Sequence, residues 1–370
     1  MDKLPLYKQI TEYLKEQIKQ REYTPGDQLP SESELNELFN VSRITSQRAL
    51  KEMEQEGLIY REQGKGSFVS SEINPEELDH KENNTQKNII AMVVPFGNSE
   101  SWLLEVINGA SEKLNGSDYH LSLFTTGKSS QKEKKVLLDL MKKNISGIIY
   151  YPNKTTKNFD IVHNIYLKKF PIVVIDKYFD GIPIHYVNSD NFRGGYLAAE
   201  YLVEMGHKNI SFFSSISVEI RTSLRDRYLG FCQGLQDNGI TINQKLFKFG
   251  TDNIDEGMEA NNHFWKKSLK EVLHNNATAI FAENDWTATH LMHISSNINI
   301  NIPDDISIIG FDNIDYSAST NLTTINQDFH KMGFQAADVV LKLIQEKETE
   351  NKNISLPVKL IKRDSVRKLK

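Results

Sequence analysis

Five polar side chains with strong hydrogen-bonding capacity fall within six consecutive positions near the N-terminus. They are Arg43, Thr45, Ser46, Gln47 and Arg48. Arginine can bond guanine through two hydrogen bonds, glutamine can do the same with adenine, and serine or threonine can bond bases or phosphates. This stretch therefore predicts recognition of DNA base edges, provided that it lies on an exposed helix.

A second candidate DNA contact is the turn that follows this stretch. Leu58–Arg61 and Ser67–Val69 are predicted to form two short strands, and residues 62–66 between them contain Lys65 and Gly66. A cation and bare glycine amides at the tip of a hairpin suit close approach to phosphates or to the minor groove.

The elements that must position these groups are predicted by capping residues and by the apolar pattern. Ser31 can cap a helix, with Glu34 completing a capping box. A further helix is expected to follow Ser42 and to end near residue 56, where Gly57 can adopt the positive φ of a helix terminus. The apolar faces of three successive helices would be Tyr7, Ile10, Leu14 and Ile18; Leu35, Leu38 and Phe39; and Ala49, Leu50 and Met53.

Two segments, "PLYKQI" and "LPSESELNELFNVSRITSQRALKEMEQEGLIYREQGKGSFV", closely resemble the winged helix-turn-helix of the GntR family of bacterial regulators. The resemblance covers residues 4–70 and implies an α+β domain over residues 1–70 that binds operator DNA. The residues that match DNA contacts of the family are Ser31, Arg43, Thr45, Gln47, Arg48, Lys65 and Gly66.

Bulk charge gives no support to DNA binding. The 370-residue chain has a net charge of −5, and its first 70 residues carry ten basic and twelve acidic side chains, a net charge of −2. Affinity for DNA must therefore come from where the cations lie. The longest apolar run, residues 89–96, is too short to span a membrane, so no membrane partner is expected. The single cysteine, Cys232, fits a reducing compartment, and we expect a cytoplasmic protein.

The rest of the chain divides into a linker and a larger domain. Residues 71–87 are polar and lack sustained periodicity, which is typical of a linker. Over residues 88–370, short apolar runs alternate with amphipathic stretches, a pattern that predicts an α/β domain of two lobes with parallel sheets flanked by helices. The predicted strands are Ile89–Val94, His120–Phe124, Ile145–Tyr150, Ile172–Ile175, Ile210–Phe213, Leu246–Phe249, Ala279–Ala282 and Ile306–Gly310.

Polar side chains directly after these strands are candidate ligand-binding groups, because ligands bind outside the carboxyl ends of parallel strands. Asp176 and Lys177 follow one strand, Asn284 and Asp285 follow another, and Asp312 follows a third. Carboxylates and amides are well suited to the hydroxyls of a polyhydroxylated ligand. Candidates for the apolar wall that the C–H faces of such a ligand need are Phe96, Trp102 and Phe179.

Six segments resemble, in order, the effector-binding domain of the LacI family, whose fold is similar to periplasmic sugar-binding proteins. They are "VVIDKYFDG", "YLAAEYLVEMGHKNISFFS", "LRDRYLGFCQGL", "NDWTA", "IPDDISIIGFDN" and "LTTINQDFHKMGFQAADVVLKLI". The resemblance spans about residues 88–367 and implies a small-molecule effector. Residues that match sugar contacts of the family by position are Asp176, Arg227, Asn284 and Asp312, with Gln327 at a lobe crossover near the site. The segment from Ser214 to Arg225 departs from the family pattern, so either Arg225 or Arg227 is the ligand partner.

Together, the two resemblances imply a repressor of carbohydrate-utilisation genes. It would act as a homodimer paired through the effector domains and leave a palindromic operator when a sugar such as L-arabinose binds. The sequence has no phosphate-binding loop, zinc-ligand spacing or nucleophile elbow, so neither a cofactor nor a metal is expected. The alternative is a sugar- or nucleotide-acting enzyme with an accessory DNA-binding domain, in which Asp176 and Asp312 form an acid–base pair.

Overall fold

A computed structural model describes residues 5–55, 57–62, 64–71, 88–95, 101–143, 145–250, 258–345 and 353–369. Contacts between residues divide the chain into two units, Met1–Lys87 and Asn88–Lys370. Among the described helices, none is both long enough and apolar enough to cross a membrane.

The first unit is a winged helix-turn-helix, as the sequence predicts. Its elements are α1 (Leu6–Lys19), α2 (Glu32–Phe39), α3 (Arg43–Gln55), β1 (Ile59–Glu62) and β2 (Gly66–Val69). The two strands pair antiparallel and form the wing. The side chains that pack the three helices together are Ile10, Leu14, Ile18, Leu35, Ala49, Leu50 and Met53.

Local signals account for the ends of these helices. The predicted capping box is present, because Ser31 and Glu34 each accept a hydrogen bond from the other's backbone N–H. Gly57, just beyond α3, has the predicted positive φ of +73°. The prediction for Leu38 is wrong, since its side chain is 59% exposed. The short helix α2 packs through Leu35, and Leu38 is turned towards solvent.

The second unit alternates strands and helices. Its strands are β3 (Ile89–Val94), β4 (His120–Thr125), β5 (Gly147–Tyr150), β6 (Ile172–Ile175), β7 (His185–Ser189), β8 (Ile210–Ser214), β9 (Lys248–Phe249), β10 (Ala279–Ala282), β11 (Ser307–Asp312), β12 (Thr323–Asn326), β13 (Asn353–Leu356) and β14 (Lys359–Ile361). Its helices are α4 (Ser101–Leu114), α5 (Ser130–Leu140), α6 (Phe159–Leu167), α7 (Asn191–Glu204), α8 (Thr222–Asp237), α9 (Met258–His274), α10 (Asp285–Ser296), α11 (Asp315–Ser319) and α12 (Phe329–Ile344).

These elements form two lobes, each around a six-stranded sheet. The first sheet has the order β13-β7-β6-β5-β3-β4 and is parallel throughout, with α4 and α12 on one face and α5 and α6 on the other. The second sheet has the order β14-β12-β11-β10-β8-β9, and only β14 runs antiparallel to its neighbour. The chain passes between the lobes after β7, after β12 and after β13, so three short segments join them.

Close packing of α7 against α8 fixes part of the wall between the lobes. A Cβ atom on Gly195 would collide with the carbonyl oxygen of Arg227, and one on Gly230 would collide with the carbonyl oxygen of Phe192. Because both obstacles are backbone atoms, only glycine allows this approach. This close approach fixes the position of α8 relative to α7 in the second lobe. The position of the Arg227 side chain, which α8 carries, is fixed with it.

Candidate DNA-binding surface and effector cavity

The first two turns of α3 present an exposed polar surface. Arg43, Gln47 and Arg48 are exposed, and Thr45 is half-buried. Ser46 is fully buried and donates a 2.6 Å hydrogen bond to the Asn36 side chain. The structure thus places Ser46 in the packing between α2 and α3, away from the surface predicted to contact DNA. Its spacing in the sequence could not show this, because serine serves equally well in a helix interface.

The arginines on this surface are held by neighbouring side chains. Glu32 accepts hydrogen bonds from Arg61 at 2.6 Å and from Arg43 at 3.3 Å. The bond from Arg61, with support from Arg43, holds the pKa of Glu32 below its ordinary value. The Arg48 guanidinium lies 3.9 Å from the centre of the Tyr7 ring. These partners limit the rotamers of long cations and thereby lower the entropy lost on binding a phosphate or base.

The wing tip is held by a contact within the first unit. Gln28 donates a 2.8 Å hydrogen bond to the carbonyl oxygen of Lys65. Gly66 has a φ of +126°, and a Cβ atom there would lie 2.7 Å from the Gln28 side chain. The Lys65 ammonium is exposed and lies 2.8 Å from Glu62. Glycine at position 66 is therefore required by the turn itself, and the exposed Lys65 ammonium lies beside it. Ser31, which the sequence also predicted to contact DNA, accepts the hydrogen bond from the Glu34 N–H that caps α2.

A cavity of about 690 Å³ lies between the two lobes of the second unit. Seven of the side chains predicted to bind ligand line it: Trp102, Asp176, Lys177, Arg227, Asn284, Asp312 and Gln327. The carboxyl ends of β6, β10 and β11 supply four of them, as expected for a site at the edge of parallel sheets. Phe96 lies outside the described residues.

Arg227 is the most constrained cation in the cavity wall. Its Nε donates to the Asn191 side chain at 2.8 Å, and its Nη1 donates to the carbonyl oxygen of Glu283 at 2.7 Å. Its Nη2 lies 3.4 Å from a carboxyl oxygen of Asp312, and its Cζ lies over the Phe311 ring, 3.7 Å from the ring centre. The guanidinium is thus oriented before any ligand arrives.

Asp312 is positioned by the backbone and by two neighbours. Its φ of +117° turns the side chain at the end of β11. Gln327 donates a 2.6 Å hydrogen bond to the carboxylate oxygen that faces Arg227. Burial raises the pKa of Asp312, Arg227 opposes this, and the nearby carboxylates of Asp285 and Asp176 add to the rise. The raised pKa favours the neutral carboxyl group, which can both donate and accept hydrogen bonds with ligand hydroxyls.

Asp176 and Lys177 form a buried ion pair on the opposite lobe. Lys177 Nζ lies 2.7 Å from Asp176 Oδ2 and 3.7 Å from the centre of the Tyr151 ring. Burial lowers the pKa of Lys177 to about 8, against the opposing charge of Asp176. Burial alone would raise the pKa of Asp176, but Lys177 and Arg227 outweigh it and the net shift is downward. The pair therefore presents a carboxylate to the cavity in its ionised form.

Aromatic rings from both lobes add apolar surface to the cavity. Trp102 packs against Tyr151 and Phe329, with ring centres 5.3 and 5.2 Å apart. Trp265 and Trp286 line the wall of the other lobe. Phe179 does not contribute, because it is buried against Tyr150 in the core of the first lobe. The C–H faces of a sugar can pack on surfaces of this kind.

Two predicted ligand contacts lie away from the cavity. Arg225 bonds Asp180 at 2.6 Å and the Tyr178 hydroxyl at 2.9 Å, so it joins the lobes outside the cavity. The geometry thus favours Arg227 over Arg225 as the ligand partner. Asp285 is fully buried, where it accepts hydrogen bonds from the Thr324 hydroxyl and the Ile314 backbone. It ties β10 to β12, because a carboxylate after a strand can turn back into the fold.

Several cavity residues were missed by sequence reasoning. They are Lys128, Tyr151, Ser215, Arg221, Ser223, Leu224, Trp265, Glu283, Trp286, Thr287, His290 and Phe329. Glu283 could have been found, since it ends the same strand as Asn284. Tyr151 and Ser215 carried the same signal, since they directly follow β5 and β8. The others come from helices and loops whose approach to the cavity depends on how the two lobes fold together.

A winged helix-turn-helix joined to a two-lobed domain with a polar, aromatic-walled cavity defines a ligand-responsive transcription regulator. Comparison with known proteins agrees. The family described as "Bacterial regulatory proteins, gntR family" matches residues 6–69. The family described as "Periplasmic binding protein-like domain" matches residues 199–366. The chain belongs to the LacI family of bacterial transcriptional repressors and carries a GntR-type DNA-binding domain.

Individual relatives extend this similarity over most of the chain. The arabinose metabolism transcriptional repressor of Geobacillus stearothermophilus is 28% identical over 355 residues, which cover 94% of this chain and 93% of that protein. The HTH-type transcriptional repressor PurR of Pasteurella multocida is 31% identical, covering 77% of this chain and 82% of the relative. A LacI family regulator of Enterococcus faecium, solved with bound ribose, superposes with a TM-score of 0.64 at 26% identity. That match covers 76% of this chain and all of the solved chain.

Proposed function

We propose that the chain represses carbohydrate-utilisation genes and leaves its operator when a sugar binds between the lobes. The observation that carries this proposal is the convergence of Asp176, Arg227 and Asp312 on one cavity that Trp102 also lines. Two carboxyl groups and a guanidinium match sugar hydroxyls, while the indole matches the C–H face of the ring. Asn284, whose side chain also caps α10, and Gln327 complete the proposed ligand set.

The effector that we propose is L-arabinose or a sugar that contains it. Support comes from the relatives over almost the full length of the chain, which are repressors of arabinose metabolism. The cavity is consistent with this class because its polar groups offer acceptors and donors from both lobes, so a bound sugar would draw the lobes together.

The DNA partner that we propose is a palindromic operator bound by a homodimer. Two copies paired through the effector domains, residues 88–370, would place two copies of α3 in successive major grooves, with residues 71–87 as linkers. Arg43, Thr45, Gln47 and Arg48 would contact base edges and phosphates, and Lys65 with the Gly66 amide would contact the backbone. We place the protein in the cytoplasm, where operator and sugar are both accessible.

We infer a sensor rather than an enzyme. The two carboxyl groups of the alternative acid–base pair already have partners in the cavity wall, since Asp176 pairs with Lys177 and Asp312 bonds Gln327 and lies beside Arg227. These partners hold the side chains of Asp176 and Asp312 in positions from which they can bond the hydroxyls of a ligand.

The test is operator binding at fixed salt with and without sugars. Operator fragments would be selected from random DNA with the full-length chain, and their affinity measured by fluorescence anisotropy while L-arabinose, D-xylose, D-ribose and their disaccharides are added. We expect at least one sugar to weaken operator binding, because a ligand that prefers the DNA-free form must lower DNA affinity by the same factor. If calorimetry shows sugar binding but operator affinity never responds, the proposed switch is wrong.

A further inference from the structure

The helix α10 exposes a large aromatic side chain towards the cavity. Trp286 lines the cavity and is 52% exposed, although an indole is normally buried because of its apolar area. His290 follows one helical turn later on the same face and also lines the cavity. Thr287, between them, lines it as well, so three residues of the cavity wall belong to one helix.

Trp286 and His290 are separate from the cavity residues that are sufficient to bind one sugar ring. Asp176, Arg227 and Asp312 form a polar set, and Trp102 forms an apolar wall beside it. A cavity of about 690 Å³ lies in the range that proteins use for drug-sized ligands, which exceed a single pentose. Stacking surface on Trp286 is therefore left over once one ring is held, and the cavity is large enough to admit a second ring.

We propose that Trp286 and His290 form a second sugar subsite, so the effector is a disaccharide or a longer oligosaccharide. Trp286 would stack on the C–H face of the second ring, and His290 would bond one of its hydroxyls. This inference rests on the proposed function, since it names the substrate class of the same cavity.

The test compares ligands of one and two rings on the full-length protein. Calorimetry would use L-arabinose, D-xylose, arabinobiose, xylobiose and cellobiose. The best disaccharide is expected to bind about tenfold more tightly than its own monosaccharide, as one stacked ring contributes. Trp286→Ala should bring that ratio close to one, and Trp286→Phe should preserve most of it. Tyr316→Ala removes another ring that is more than half exposed but lies outside the residues that line the cavity, and it serves as the control.

Two results would overturn this subsite while leaving the sugar-responsive repressor intact. One is equal affinity for mono- and disaccharides in the unchanged protein. The other is a Trp286→Ala variant that weakens both ligand sizes by the same factor. Failure of every sugar in the panel to bind would instead overturn the proposed function.

A separate observation concerns the DNA-binding surface. Ile44, the second residue of α3, is 78% exposed, the largest exposed fraction among the big apolar side chains of the described residues. It lies between Arg43 and Thr45, and Arg48 follows one helical turn later. An isoleucine in this position buries nothing in the unit itself, so its apolar surface remains available to a partner.

We infer that Ile44 reads thymine in the operator by packing on the 5-methyl group. That methyl is the only apolar group on a base edge in the major groove, where the start of a recognition helix lies. The polar neighbours of Ile44 would bond adjacent bases or phosphates, so the apolar contact adds discrimination at a single base pair. This second inference rests on operator binding and is independent of the identity of the sugar.

The test replaces thymine by deoxyuridine at one operator position at a time. One substitution in each half-site is expected to weaken binding by the unchanged protein about fourfold, the effect of one buried methyl group. Ile44→Ala should bind more weakly and lose its sensitivity to that substitution. Leu6→Ala, which removes an exposed apolar side chain from α1, should retain full sensitivity.

Insensitivity of the unchanged protein to every deoxyuridine would overturn the thymine assignment, as would an Ile44→Ala variant that keeps the same sensitivity. Both results leave operator binding standing. Only a chain that selects no DNA at all would overturn the proposed function.

Discussion

Arg227 and Arg225 are two residues apart on α8 and have different roles because of where their side chains end. Arg227 is buried against Phe311 and directs its guanidinium towards Asp312 in the cavity. Arg225 is partly exposed and bonds Asp180 of the other lobe. A buried, prearranged cation loses little entropy when a ligand binds, and its hydrogen bonds are strong because water is excluded.

Removing Arg227 should therefore weaken sugar binding far more than removing Arg225. We expect Arg227→Ala to lower sugar affinity by about 2–3 kcal/mol, or roughly 30- to 150-fold, as for the loss of a charged hydrogen-bond partner. Arg225→Ala should change it less than about threefold, since an exposed ion pair contributes little. Calorimetry on both variants decides between them, and equal losses would contradict the assignment.

In an Asp312→Asn variant, which removes the other cavity group whose pKa lies near 8, sugar affinity should fall as the pH rises through about 8. Burial lowers the pKa of Lys177 to about 8, so the ammonium that pairs with Asp176 is lost above this pH. Both side chains bind hydroxyls best when charged.

The same preference predicts proton uptake. A sugar that binds the ammonium form more tightly raises the pKa of Lys177, so sugar binding near pH 8 should be accompanied by uptake of a proton. Titrations in buffers of different ionisation enthalpy measure this uptake, and Lys177→Met should abolish it. Constant affinity across this range would contradict the prediction.

Residue types alone predicted which side chains carry chemistry but only partly where they point. Asp176 and Asp312 both follow strands and both line the cavity, yet Asp285, which also follows a strand, is buried beneath it. Asp176 and Asp312 have positive φ values of +66° and +117° that redirect the chain. Aspartate is enriched at positive φ, but its type alone does not show which aspartate adopts this conformation. The direction of Asp285 depends on Thr324, about forty residues away, whose position is set only by the tertiary fold.

Among the strands and helices, a strand could be predicted from the sequence when its residues were mostly apolar. The strands found from sequence have ends that the sequence placed within two residues, and most of them, such as β3 and β6, are buried apolar runs. The exceptions are β4 and β9, which are partly exposed. The strands β7, β12, β13 and β14 were not predicted, because they are short and rich in polar residues such as those of Thr323–Asn326. These four strands adjoin the lobe crossovers, where pairing with a neighbour rather than local propensity determines strand formation.

The packing of α7 against α8 should be sensitive to a single methyl group. Gly230→Ala places a Cβ atom against the Phe192 carbonyl, and since no flexible side chain can yield, the helices must separate. We expect a loss of about 1–3 kcal/mol in the free energy of unfolding, as for other overpacked sites, and weaker sugar binding because Arg227 moves with α8. Denaturant unfolding and calorimetry measure both. Gln233→Ala, on the exposed side of α8, is the matched control and should change neither by much; an unaffected Gly230→Ala variant would contradict the packing argument.

At the scale of the whole molecule, the two units divide the work between DNA and ligand. The proposed operator contacts belong to α3 and the wing, and the proposed sugar contacts belong to the second unit. The net charge of the first 70 residues is −2, so operator affinity must depend on a few placed cations and not on a general positive field. Each function should therefore be separable by substitutions in one unit.

Separate losses of the two functions are the sharpest expectation for the intact chain. Arg43→Ala with Arg48→Ala should abolish operator binding and leave calorimetric sugar affinity unchanged, because neither side chain belongs to the cavity. Arg227→Ala should retain operator affinity but should no longer be released by sugar at concentrations that release the unchanged protein. Anisotropy and calorimetry on the same preparations test both halves. If the variant with Arg43→Ala and Arg48→Ala also lost sugar binding, the folding of the two units would be coupled. Release by sugar would then require a structural coupling between the units that acts even without DNA.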